Sequence, residues 1–288
     1  MSKLVQVWKV CDARVLSVTM VGAMKKNIDT PYAKVSIGQH WLNDSKSLEA
    51  MCDAAEVSKG DNILEVGPGH GTLTTRLLAR GAHVTAVELD KDLVYELKGK
   101  FSGSFFRLFV GSILQFDLST MPANYKVVAN IPYYLTSNFL RIICESPYPF
   151  SKAALLVQKE VAERVAAKPG DMSLLSVSVQ FYCKTGLGPV VPARLFLPQP
   201  KVDSQILMLE HTGPRFPDVD TKKFFQVVKA GFGERRKKIR SSLSGGLRVS
   251  KHEAGALLDE AGISHHVRAQ ELSLEDWHGL YKVIHPLD

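Results

Sequence analysis

Two short segments of this chain carry residues whose types and spacing could do chemistry. The first, Glu65-Val66-Gly67-Pro68-Gly69-His70-Gly71-Thr72-Leu73-Thr74, sets three alternate glycines between a strand-like run and a helical one. Glycine allows a tight turn and lets a ligand lie against bare backbone. The spacing G-x-G-x-G differs from the G-x-G-x-x-G that brings a helix N-terminus to a pyrophosphate. Glu65, just before the loop, suits a cationic ligand and would repel a pyrophosphate. S-adenosyl-L-methionine, with sulfonium and amino groups and no phosphate, satisfies both features. Glu88 ends the next strand-like run, where a carboxylate can accept both hydroxyls of a ribose. That feature serves a nicotinamide dinucleotide equally, so an oxidoreductase and a ligand-free turn stay open at this point.

The second segment is Asn130-Ile131-Pro132-Tyr133-Tyr134, which ends a fourth strand-like run. Each residue has a task on an aromatic amine such as N6 of adenine, whose lone pair is delocalised into the ring. The Asn130 side-chain oxygen and the Ile131 or Pro132 carbonyl can accept its N–H bonds. They thereby stabilise the positive charge that develops as the nitrogen attacks a methyl group. Pro132 fixes the backbone that aims the carbonyl. Tyr133 offers a flat face to an unstacked base. No general base is required, because the methylated amine cation loses its proton to water and the displacement depends mainly on alignment. A capping asparagine beside packed tyrosines is the plainer alternative.

These segments need a scaffold that brings strand ends together. Asn62–Val66, His83–Leu89, Arg107–Val110, Lys126–Ala129 and Ala153–Val157 read as strands, and Thr72–Ala79 and Asp92–Lys100 as helices. The alternation predicts an α/β fold, a doubly wound Rossmann-like parallel sheet with its ligand crevice at the carboxyl ends of the strands. Downstream, Lys159–Ala167 reads as a helix, Ser176–Tyr182 and Gln205–Glu210 as strands, and Pro189–Pro200 as loop. Thr212-Gly213-Pro214 marks a boundary before an all-helical remainder: Thr221–Phe232, Arg235–Leu243, Lys251–Ala261 and Ser273–Ile284, with Gly245-Gly246 and Gly262 as stops. The expected organisation is an N-terminal extension over 1–30, a catalytic domain over 31–211 and a helical RNA-binding domain over 212–288. The extension shows no signal-peptide core, and Met20 and Met24 are alternative starts.

The 288 residues carry a net charge of +7. Eleven Lys or Arg against three Asp or Glu fall between Arg215 and His252, a local +8 that leaves −1 elsewhere (7 minus 8). One basic stretch on a neutral body fits a polyanionic partner. On the predicted helix Arg236 and Arg240 share a face, as do Lys237 and Ser241, a strip able to track phosphates. Arg235, Arg236, Lys237, Lys238 and Arg240 are the expected RNA contacts. Cys11, Cys52, Cys144 and Cys183 form no close sequence pair, which points to buried thiols in a reducing compartment rather than a metal knuckle. No apolar run reaches membrane-spanning length.

From Ser36 to Tyr281 the chain resembles the KsgA/Dim family of ribosomal RNA adenine dimethyltransferases. The resemblance rests on Gly38-Gln39-His40-Trp41-Leu42-Asn43-Asp44, on the glycine loop and the Asn130–Tyr133 segment, and on Pro198-Gln199-Pro200-Lys201-Val202-Asp203-Ser204. Arg235–Leu243 and Arg268-Ala269-Gln270-Glu271-Leu272-Ser273 extend it. It implies dimethylation of two adjacent adenosines in the 3′-terminal hairpin of small-subunit rRNA during late subunit assembly. It also implies cofactor contacts at His40, Leu42, Gly67, Glu88, Ser112 and Asn130. Taken with the residues read directly, the expected cofactor set is His40, Leu42, Glu65, Gly67, Gly69, Gly71, Glu88, Ser112 and Asn130, and the catalytic set Asn130, Pro132 and Tyr133. Ser112 stands where the family has an aspartate, and His40-Trp41 where it has Asn-Phe. A monomeric, cytoplasmic, metal-free enzyme acting on a pre-ribosomal particle is expected. The alternatives are a resistance-type enzyme of large-subunit rRNA, a non-enzymatic rRNA-binding assembly factor, and a DNA adenine methyltransferase.

Overall fold

A computed structural model describes residues 40–234 and 236–286 of the protein. The expected 1–30 extension, Cys11 and Arg235 lie outside the described residues. In chain order the elements begin with β1 (Trp41–Leu42), α1 (Ser45–Ala54), β2 (Asn62–Val66), α2 (Thr72–Ala79), β3 (His83–Glu88), α3 (Lys91–Lys100), β4 (Phe106–Val110) and β5 (Lys126–Asn130). There follow α4 (Thr136–Cys144), β6 (Lys152–Gln158), α5 (Lys159–Val165), α6 (Leu174–Gln180), β7 (Cys183–Val191), β8 (Phe196–Leu197) and β9 (Ser204–His211). The helices α7 (Thr221–Phe232), α8 (Ile239–Leu247), α9 (Lys251–Glu260) and α10 (Leu274–Ile284) complete the described chain.

One sheet runs β4-β3-β2-β5-β6-β9-β7. The chain winds outward from β2 through β3 to β4, then restarts on the other side of β2 with β5 and β6. The switch point therefore lies between β2 and β5, where a crevice opens at their carboxyl ends. The five strands from β4 to β6 are parallel, as expected, but β9 runs antiparallel to both β6 and β7, so the sheet is mixed. Parallel strands covered on both faces must be apolar throughout, and Val127, Val128 and Ala129 are fully buried. The two-residue period sends Ile63 to the core under α1 and α2, and Leu64 and Val66 to the core on the other face.

Packing corrects several readings of the sequence. Ser176–Tyr182 lies mostly within helix α6, despite its strand-like Val-Ser-Val alternation. Ser173 and Ser176 form a capping box, and the Ser176 hydroxyl donates to the Arg164 carbonyl at 2.6 Å, which makes a buried serine acceptable. Pro189 sits inside β7, beside a register shift between Leu187 and Val190, rather than in a loop. A proline is admitted there because β7 is an edge strand and the bulge removes the need for its N–H. Within the same expected loop, β8 pairs with β1. The basic helix starts at Ile239, not Arg235. Lys238 is its extended N-cap, and the Ile239 N–H is drawn to the Val267 carbonyl at 2.8 Å. Gly245 and Gly246 do not stop that helix: a Cβ at Gly246 would collide with the Ala230 backbone, so Gly246 forms the close crossing of α7 and α8. Arg248, in the left-handed region, ends it instead.

Residues on both sides of position 211 share one apolar core, in which Phe181 packs on Phe224 (ring centroids 4.9 Å) and Phe225 (5.3 Å). Aromatic pairs at this spacing add to the burial of their faces. Cys144 and Cys183, 39 positions apart in sequence, bring their sulfurs to 3.7 Å as buried free thiols.

Candidate active-site cleft

The switch-point crevice is a cleft whose walls include His40, Gly67, Gly69, Glu88, Ser112, Asn130, Pro132 and Tyr133. The glycine loop forms its floor. Gly67 and Gly69 have φ of 65° and 59°, a region that favours glycine, and leave bare backbone towards the cleft. Gly67 N–H donates to the Val87 carbonyl at 3.0 Å, and Gly111 N–H to the Glu88 carbonyl at 2.8 Å, tying the three strand ends together.

Glu88 reaches into this floor. One carboxylate oxygen accepts the N–H groups of Leu89 and Asp90, both at 2.8 Å, and the other faces Gly69 N–H at 3.4 Å. Burial pushes its carboxyl above the usual carboxylate range, against the pull of these N–H donors. The loosely held oxygen is the one available to a hydroxyl donor. Ser112, one turn beyond the neighbouring strand, accepts the Leu114 N–H at 3.3 Å and keeps its own hydroxyl hydrogen free to turn.

Three residues of the expected cofactor set lie outside the cleft wall. Glu65 points to the opposite face of the sheet, as strand alternation demands once Val66 lines the cleft. It is buried, accepts the Thr74 hydroxyl at 2.7 Å, and burial pushes its carboxyl up to about 8. Burial thus favours the neutral form of this carboxyl, and its side chain faces away from any cation in the cleft. The Leu42 side chain is in the core and its carbonyl accepts the Thr72 hydroxyl at 3.0 Å. Gly71 starts α2 with φ of 73°, and a Cβ there would strike the Phe101 ring, so packing explains that glycine.

Asn130 ends β5 beside this floor. Its Nδ2 donates to the His40 carbonyl at 2.9 Å. A carbonyl can only accept, so the amide is oriented and Oδ1 is left as an acceptor. The Pro132 carbonyl already takes the Leu135 N–H at 2.9 Å. Tyr133 shares a hydrogen bond with the buried Ser204 hydroxyl at 2.9 Å, and burial pushes its phenol up. The His40 ring stacks on Tyr133 (5.5 Å, 27°) and donates through Nδ1 to the Pro198 carbonyl at 2.8 Å. The Pro198–Ser204 segment thus supports both His40 and Tyr133. Trp41, whose ring covers Gly69, is a further wall residue that the expected cofactor and catalytic sets did not include. Spacing could not have found these partners, which are separated by 71 and 158 positions.

The basic residues lie elsewhere, in the turn between α7 and α8 and in the first turn of α8. Arg236, Lys237, Lys238 and Arg240 are exposed. Lys237 pairs with Glu234 at 2.9 Å, and Lys238 approaches His266 at 3.1 Å. Because only Arg240 of the four is in a helix, the shared helical face expected for Arg236 and Arg240 does not form. Among the described residues no cluster of His, Cys, Asp and Glu suits a metal, and no helix is long and apolar enough to cross a membrane.

The sequence model of the family described as "Ribosomal RNA adenine dimethylase" matches residues 32–285. A Dehalococcoides mccartyi protein named ribosomal RNA small subunit methyltransferase A is 41% identical over 250 residues, covering 85% of this chain and 86% of its own. The protein of the same name from Thermosynechococcus vestitus is 40% identical over 263 residues, covering 88% and 98%. The crystal structure of the 23S rRNA methyltransferase ErmE superposes with a TM-score of 0.68 at 28% identity, covering 84% of this chain and 98% of that one.

Proposed function

The chain belongs to the ribosomal RNA adenine dimethylase family, and from that premise we propose that it transfers methyl groups from S-adenosyl-L-methionine to N6 of two adjacent adenosines in the 3′-terminal hairpin of small-subunit rRNA. It does so as a cytoplasmic monomer acting on a pre-ribosomal particle. The observation that carries this reading is the oriented amide of Asn130 at a strand end beside Glu88.

S-adenosyl-L-methionine supplies an electrophilic methyl group. The residues present fit it: bare backbone at Gly67 and Gly69, and a buried carboxyl at Glu88 for ribose hydroxyls. Asn130 Oδ1, its direction fixed by His40, accepts a hydrogen bond from the target amine. That contact strengthens as the nitrogen becomes positive, so it favours the transition state over the ground state. Tyr133, held by Ser204 and His40, presents its ring to the extruded base. Arg236, Lys237, Lys238 and Arg240, with Arg235 beyond the described residues, hold RNA phosphates and set the salt dependence of binding.

The likeness to the ErmE structure favours a large-subunit substrate as the second reading. The test is methyl transfer from labelled S-adenosyl-L-methionine to small-subunit particles lacking the modification, with large subunits and DNA in parallel. Label in dimethyladenosine of the small-subunit RNA is the expected result. Label confined to large subunits moves the protein to the second reading, and RNA binding without label anywhere makes it an assembly factor.

A further inference from the structure

A second cavity, of about 210 Å³, lies outside the cleft and is walled by Arg164, Asp171, Met172, Ser173, Phe232 and Gln270. One water needs only roughly 10–15 Å³ on this measure, so the space admits a group of many atoms. Its position is set by three elements. Arg164 lies near the end of α5, which leaves β6 on the cleft side of the sheet. Phe232 closes α7, four positions before Arg236 in the basic turn. Gln270 sits in the short turn Ala269–Glu271 that precedes α10.

The chemistry of the wall is specific. Arg164 Nε is sealed from solvent without a hydrogen-bond partner, and among the described residues no carboxylate lies within ion-pair distance of its guanidinium. Gln270 spends its amide N–H on the Gly170 carbonyl (2.8 Å), while its main-chain carbonyl accepts from Gly170 (2.9 Å) and Met172 (3.1 Å). Its side-chain Oε1 is therefore left as an acceptor. The cavity thus offers the two terminal nitrogens of Arg164 as a flat donor fork, acceptors at Asp171 and Gln270, and the aromatic side chain of Phe232. A phosphate would use the fork alone and meet Asp171 as a like charge. Adenine would present its amino group where the fork needs an acceptor. Guanine presents O6 and N7 to an arginine fork, N1–H and an amino group to acceptors, and a face for stacking. Arg164 is half-buried, so water serves its terminal nitrogens in the free protein, but its sealed Nε has no partner, and a sealed donor left unpaired costs stability, as expected of a residue kept for a ligand.

We propose that this cavity receives one unstacked guanine of the RNA substrate, read by Arg164 through O6 and N7 and held against Phe232. The inference rests on the RNA reading above. The test titrates, by fluorescence anisotropy, a hairpin RNA with a guanine-containing loop against the same hairpin carrying 7-deazaguanine, which lacks the N7 acceptor. The full chain, Arg164→Met and Arg164→Lys are compared. The full chain is expected to lose about tenfold in affinity for the 7-deaza hairpin. Arg164→Met should bind both hairpins equally weakly, and Arg164→Lys, with charge but no fork, should not restore the difference. Losses that simply add, or a full chain indifferent to 7-deazaguanine, overturn the proposal. Arg164→Met should also melt at or above the temperature of the full chain; a lower midpoint makes Arg164 a structural residue and likewise overturns it. Label transfer by the same preparation separates the two failures. Turnover on small subunits without a guanine effect removes only the cavity assignment, whereas absent turnover and absent RNA binding remove the RNA reading with it.

Discussion

At the carboxyl edge of the sheet, Asn130 and Tyr133 are each held by a residue from a distant part of the chain, His40 and Ser204. In the turn between α7 and α8 the described basic side chains are exposed, and Lys237 pairs with Glu234, three positions away. The cleft fixes single atoms in direction; the turn supplies positive charge without a fixed geometry. Chemistry on a poor nucleophile needs the first arrangement, since a misdirected acceptor stabilises nothing. Binding a polyanion needs only the second, because counterion release depends on charge and not on orientation. Substitutions in the cleft should therefore act on turnover and be steep, and those in the turn should act on affinity, be graded and respond to salt.

The sharpest way to break this contrast is Asn130→Ala. Loss of one preorganised group at a developing charge lowers turnover by about 10²–10³-fold, with RNA affinity within a few-fold of the unaltered chain. Single-turnover rates and filter binding on the same preparation check it; unchanged turnover would remove Asn130 from the chemistry.

Glu65, on the underside of the cleft floor, tests whether this carboxyl serves the fold. Its folded-state value of about 8 lies above the ordinary 4.5 of an unfolded chain. Its stabilising contribution is thus complete below about pH 4.5 and disappears as pH rises to about 8. Glu65→Gln should flatten that decline and leave the protein more stable at pH 8 by a few kcal/mol, since each tenfold difference in proton affinity between the two states is worth about 1.4 kcal/mol. Denaturant melts from pH 5 to 8 decide the matter, and parallel curves for the two proteins would contradict it.

Glu88→Ala should weaken S-adenosyl-L-methionine binding by roughly 10- to 100-fold in calorimetry, the loss of two hydrogen bonds to a charged acceptor. RNA affinity should not follow; a joint loss would mean that the floor and the RNA surface are coupled. The smallest effect belongs to the turn. Arg236→Glu with Arg240→Glu should weaken RNA binding about tenfold at low salt. The slope of log affinity against log salt should become shallower by roughly 0.7–0.9 for each phosphate no longer neutralised. An unchanged slope would take the turn out of RNA binding.

Much of the scaffold was legible because strand and helix periods are local. The run Asn62–Val66 places Ile63, Leu64 and Val66 where both sheet faces are covered, and Thr72–Ala79 has the bounds its pattern gives. Ser176–Tyr182 misled because a two-residue alternation of Val and Ser cannot reveal that Ser173 will cap a helix. Gly245-Gly246 misled for a related reason. Glycine reads as a stop in isolation, yet here Gly246 answers the approach of Ala230 on another helix.

The sequence by itself determined the order of elements, the glycine loop, the Asn130–Tyr133 segment and the concentration of positive charge, since each is a property of neighbouring residues. Tertiary structure alone decided that Glu65 turns away from the cleft while Glu88 lines it, because strand alternation is counted from a face that only packing defines. It alone joined His40 to Pro198 and Tyr133 to Ser204 across 158 and 71 positions. It alone placed the unpaired Arg164 in a cavity with Phe232 and Gln270. Contacts of that kind follow from how sheet and helices close on one another, and no local spacing in the chain encodes them.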